Sequence, residues 1–193
     1  MRFSFQAEQW LPYPPELVFA FFSNPENLPR LMPDWQRARI EDAVLVPAPQ
    51  PPAGSRHYTI CAAGAGTRLT LSFRPFPFSP VRVPWAAEIT DFVWNTRFCD
   101  RQLRGPFAYW NHCHSIEAQS RPHQTVPGEH ADSKDSTAGT LLRDHVEYEM
   151  PFGFLGRLAQ TLFVNRQLRA TFKFRHQRTS VLLASMAPDP IRR

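Results

Sequence analysis

Residues 144–187 read DHVEYEMPFGFLGRLAQTLFVNRQLRATFKFRHQRTSVLLASMA, and the second part of this stretch decides the fold. The chain holds 20 prolines, yet none falls between Pro151 and Pro188, and Gly156 is the last glycine. Arg157 to Ala187 is therefore free of both helix breakers, which predicts one long helix. At 1.5 Å per residue a helix of about 30 residues spans roughly 45 Å. Leu155, Leu158, Leu162, Phe172 and Leu183 recur at helical spacing. Asn165, Arg169, His176 and Thr179 fill the same stripe between them, with Leu168 beside it to take over the contact. Leu155, Leu158 and Leu162 are expected to pack on a sheet, so that Leu158→Asp would cost several kcal/mol.

Upstream the pattern is strand-like. Phe3 and Phe5 alternate with Ser4 and Gln6 in a first strand, and Pro14-Pro15 open a short helix over Glu16 to Ser23. Leu28 to Met32 reads as a second helical turn. Strands are expected at about 37–46, 56–62, 67–74, 86–94, 97–103, 109–118 and 140–149, bounded by Gly and Pro. Pro47 to Gly54 is a proline-rich loop, and the polar stretch 119–139 reads as a mobile hairpin insertion. Strands in series, two short early helices and one long last helix define an α+β fold. Its sheet is antiparallel, because the connections are too short for crossovers.

Strand alternation then sorts the last hairpin into faces. Leu141, Arg143, His145, Glu147 and Glu149 should point to solvent; Leu142, Asp144, Val146, Tyr148 and Met150 should point inward. In the preceding strand, Trp110, His112, His114 and Ile116 form the inward face. Trp110, His112, His114, Asp144 and Tyr148 should thus meet, with His112, His114, Asp144 and Tyr148 as one connected polar patch. Three chemistries fit. His-x-His with Asp144 could chelate a metal. A histidine oriented by Asp144, with Tyr148 as donor, could do acid–base work. The favoured reading is a ligand cavity whose histidines bond backbone or water without chemistry.

The composition excludes several classes. With 42% hydrophobic and 20% charged residues the chain packs a core, and no apolar run is long enough to span a membrane. The +5 net charge is carried by scattered arginines, Arg166, Arg169, Arg175 and Arg178 reading as a solvated helix face, so no nucleic-acid partner is expected. Phosphate-binding glycine loops and the GxSxG context are absent, so neither a cofactor nor a serine hydrolase is expected. Cys61, Cys99 and Cys113 have no regular spacing and read as free thiols. With no signal-peptide pattern after Met1, the cytoplasm is the expected compartment.

Three segments carry a resemblance. They are Glu16-Leu17-Val18-Phe19-Ala20-Phe21-Phe22-Ser23-Asn24-Pro25-Glu26-Asn27-Leu28, then Phe98-Cys99-Asp100-Arg101-Gln102 with Gly105-Pro106-Phe107 and Trp110 to His114, and Asp144 to Pro151 running into the long helix. On these the chain resembles the START-like SRPBCC superfamily, in particular bacterial cyclase/dehydrase-like members. The resemblance implies a helix-grip fold, in which about seven antiparallel strands curve around the C-terminal helix and enclose a cavity. It implies one domain over 1–185 with a tail at 186–193. It also implies a hydrophobic small molecule as partner, such as a lipid, a quinone or an aromatic polyketide, and no stable membrane insertion. Trp110, His112, His114, Asp144, Tyr148, Leu158 and Leu162 are the expected ligand-binding residues, with no catalytic or metal residue assigned. A cyclase or dehydratase using the His/Asp/Tyr patch is the alternative.

Overall fold

The computed structural model describes residues 1–55, 58, 62–122 and 136–186. Seven strands form one antiparallel sheet in the order β1-β7-β6-β5-β4-β3-β2. They are β1 (Arg2–Leu11), β2 (Arg39–Val44), β3 (Arg68–Phe73), β4 (Val83–Val93), β5 (Arg97–Arg104), β6 (Tyr109–Pro122) and β7 (Ser136–Glu149). Helix α1 (Pro15–Ser23) follows β1, with Pro15 in the first turn, and three single 3₁₀ turns follow it between Pro25 and Gln36. Helix α2 (Gly153–Ala159) passes through a π turn (Gln160–Val164) into α3 (Asn165–Met186). Register shifts at Ile40/Asp42, Ala86/Ala87 and Ile89/Asp91 bend the strands, and that bending curves a sheet around a helix.

The first strand, the early helix and the hairpin faces fall where expected. Leu142, Asp144, Val146 and Tyr148 are buried, whereas Arg143 pairs outward with Glu8 at 2.8 Å. Leu141 departs from the pattern: it is buried, opposite Trp10 in the register. Strands β6 and β7 also run farther into the polar insertion than expected, pairing as far as Pro122 with Ser136. The rest of that insertion, most of the strand expected at 56–62 and Cys61 lie outside the described residues.

Two expectations are overturned. Cys99 and Cys113 are joined by a disulfide, because they stand directly opposite each other on β5 and β6 with Cα atoms 4.1 Å apart. These two cysteines therefore give no support for a reducing compartment. The second correction concerns the long helix. Leu155, Leu158 and Leu162 are exposed, and the inward face is carried instead by Leu168, Phe172, Thr179, Leu182 and Leu183. A π turn adds a residue to the helical repeat and shifts its phase. The inward face consequently continues backward through Val164, Gln160 and Gly156 in four-residue steps, which leaves the leucines outside. Gly156 is required there, since a Cβ would collide with the Pro151 carbonyl oxygen. With Leu158 48% exposed, Leu158→Asp should leave stability within about 0.5 kcal/mol of wild type. Thermal melting checks this, and a loss of several kcal/mol would contradict the outward placement.

Candidate functional site

Between the concave face of the sheet and α3 lies a cavity of about 380 Å³. Leu69, Leu71, Trp85 and Ile89 of β3 and β4 form one apolar side, and Phe163, Leu168 and Phe172 form the helical side. Trp85, Phe107 and Trp110 pack as an aromatic wall with ring centroids 4.8–5.8 Å apart. A cavity of this size, apolar with a few convergent polar groups, suits a small molecule.

The polar groups gather at one place because register puts them side by side. Asp100 on β5 stands opposite His112 on β6, and His114 stands opposite Asp144 on β7. His112 Nε2 lies 2.9 Å from Asp144 Oδ1, and His114 Nδ1 lies 2.8 Å from the same oxygen. The other nitrogen of His112 faces Asp100 Oδ2 at 3.6 Å, so two carboxylates bracket one imidazole. From α3, Arg175 Nη2 approaches His114 Nε2 at 3.4 Å, and its guanidinium lies 5.3 Å from the Phe22 ring centre. His176 Nε2 comes within 3.9 Å of Asp144 Oδ2.

Burial sets the protonation states. It pushes His114 down to about 3, helped by the neighbouring His112 and opposed by Asp144, so the ring is neutral at ordinary pH. Burial would raise Asp144, but the contacts with His114, His112 and His176 outweigh it and hold the carboxyl well below its usual range. Asp100 is raised, burial exceeding the opposing pull of His112 and Arg175. An arginine donates and cannot accept, so His114 Nε2 carries the lone pair and Nδ1 the proton. Asp144 thus stands against both rings, hydrogen-bonded to His112 and in close contact with His114, while His112, His114, Asp100 and Arg175 reach the cavity.

Trp110, His112 and His114 line the cavity, and Asp144 stands behind the histidines. Tyr148 is buried but does not join the patch: its hydroxyl accepts from Gln160 Nε2 at 3.2 Å, and its ring packs on Phe107. Leu158 and Leu162, exposed on the outer side of the helix, are absent from the wall. Sequence reasoning missed Asp100 and placed Arg175 in solvent. Asp100 enters through the β5–β6 register, which sets it opposite His112. Arg175 was hidden by the helix phase, since it falls between Phe172 and Thr179 on the true inward stripe. Asp100, His112 and His114 bring potential ligand atoms within 4.8 Å of one another. The adjacent guanidinium opposes a cation there, so a metal is a poor fit.

A curved seven-stranded antiparallel sheet gripping a C-terminal helix, with a cavity between, defines the helix-grip class. Residues 11–175 match the family model described as polyketide cyclase / dehydrase and lipid transport, and the chain belongs to that family within the SRPBCC superfamily. No curated protein matches the sequence. Among solved structures, TTHA0849 from Thermus thermophilus is similar at 17% identity and a TM-score of 0.60, covering 96% of this chain and 99% of that one. Ara h 8.0201 is similar at 12% identity and a TM-score of 0.57, with the same coverage. Norcoclaurine synthase from Thalictrum flavum, solved with dopamine and hydroxybenzaldehyde, is similar at 14% identity and a TM-score of 0.56, covering 98% and 90%. These likenesses establish the fold.

Proposed function

We propose that the protein binds or carries an amphipathic small molecule, its apolar body against the Trp85–Phe107–Trp110 wall and its polar end at Arg175. The observation that carries this reading is the guanidinium standing at an apolar cavity, with Phe22 and Phe172 beside it, the His114 imidazole at 3.4 Å and its own Nε buried without a hydrogen-bond partner. A carboxylate, phenolate or carbonyl oxygen complements it. Lipid, quinone and aromatic polyketide-like molecules all satisfy this pattern. On this reading residues 1–185 act as one ligand-binding domain. Fluorescence titration with anilinonaphthalene sulfonate, an aromatic anion, tests it. Wild type should bind, and Arg175→Met should weaken binding about tenfold, which is about 1.4 kcal/mol. Equal binding by both proteins would remove the anchor.

The Asp144–His112–Asp100 chain favours a second reading, a cyclase or dehydratase. His112 is oriented by Asp144 and, together with Asp100, faces the cavity, which is the arrangement acid–base catalysis needs. Asp100, its carboxyl raised by burial, faces the cavity beside His112. Turnover of an aromatic polyketide-like substrate that His112→Gln and Asp100→Asn abolish while retaining binding would establish this reading. Turnover unchanged in both variants would end it.

A further inference from the structure

Exposed apolar side chains concentrate on two segments. Phe76, Phe78 and Val81 lie between β3 and β4, and Phe152, Phe154, Leu155, Leu158, Leu162 and Phe163 lie on α2 and its flanks. All five exposed phenylalanines among the described residues are in these segments, Phe78 being 96% and Phe152 83% exposed. The Phe76 and Phe163 rings meet at 5.3 Å, which joins the segments into one surface. That surface rims the cavity: Phe163 and Pro106 are the two lining residues that are themselves exposed. A soluble monomer leaves large contiguous apolar patches open only for a purpose.

Charge identifies the occupant. Residues 150–186 contain no Asp or Glu, and Arg157, Arg166, Arg169 and Lys173 are exposed there. Residues 74–82 likewise hold no acid, although Arg82 is taken up by Ser72, the Arg37 carbonyl and Glu41. Along the outer side of the helix, the exposed Leu155, Leu158 and Leu162 give way to exposed Arg166, Arg169 and Lys173. A protein partner of mixed charge would not call for so one-sided a rim. An anionic bilayer does, because acyl chains accept the Phe and Leu side chains while lipid phosphates accept the guanidiniums. We infer that the α2 segment and the 74–82 loop form a peripheral docking surface for anionic membranes, which sets the cavity mouth on the bilayer. Entry or exit of an apolar ligand would then avoid water. The surface rests on exposure and charge alone, so it stands or falls apart from the ligand reading.

Co-sedimentation with vesicles tests it. Phosphatidylcholine vesicles containing about 30% phosphatidylglycerol should retain the protein about tenfold better than phosphatidylcholine alone, and added salt should weaken retention. The double variant Leu155→Asp/Leu162→Asp should lose about tenfold of that binding, whereas Val44→Asp, on an exposed site of β2, should keep it. Both sets of positions are exposed, so folding is preserved, and thermal melting verifies this. Absence of binding to anionic vesicles, or binding that the double variant retains, would overturn the proposal. So would a dimer in light scattering that the double variant splits, which would make a second copy the occupant.

Discussion

Asp144→Ala should lower the stability of the protein by about 2–5 kcal/mol, the largest effect expected of any single side chain in the polar cluster. The carboxylate is 1% exposed, is hydrogen-bonded to His112 and lies 2.8 Å from His114 Nδ1. Its removal leaves the buried His112 Nε2 without its hydrogen-bond partner, at about 1–3 kcal/mol, and breaks the close buried contact with His114 as well. For a chain of this size the melting temperature should fall by about 10 °C. His145→Ala, one residue away on the exposed face, should be nearly silent. The wild type should also lose stability in acid. Because burial holds His114 at about 3, the unfolded chain binds a proton that the folded one refuses between that value and the ordinary histidine range of about 6.5. Stability from this group is complete above that range and declines as pH falls through the window. Asp100, being raised, works the other way and offsets part of the loss. Urea denaturation at a series of pH values measures the sum, and a flat profile from neutrality to about pH 4 would contradict the buried neutral imidazole.

Ala87→Trp should abolish binding of the aromatic anion while leaving the protein folded. Ala87 lies on the cavity wall beside Trp85, and an indole there would fill a large part of the roughly 380 Å³ space. The cavity gives the new ring room that a packed core would not, so the usual penalty for overpacking is small. A titration curve matching wild type would place the ligand elsewhere.

The inward strand faces were legible because alternation is a local rule: once Asp144 and Tyr148 were assigned to one face, burial followed for both. What became of those side chains was not local. Tyr148 turned to Gln160, a residue whose position depends on the π turn, and so left the patch. The same turn explains the misplaced leucines, because a 3.6-residue period extended across residues 155–183 assumes a helix without an inserted residue. Asp100 and the Cys99–Cys113 pair were both consequences of the β5–β6 register, which fixes direct neighbours that spacing along the chain does not reveal. Arg175 is the remaining case. Alone in sequence it is one cation among many on a basic helix; only the helix phase turns it toward the apolar cavity.

Native mass spectrometry of the protein purified from its own host tests the ligand-binding account most directly. The account predicts a wild-type mass raised by a bound organic molecule with an acidic or carbonyl end. That added mass should disappear in Ala87→Trp and diminish in Arg175→Met. A wild-type protein that carries nothing, and that neither captures the aromatic anion nor distinguishes itself from Ala87→Trp, would contradict it.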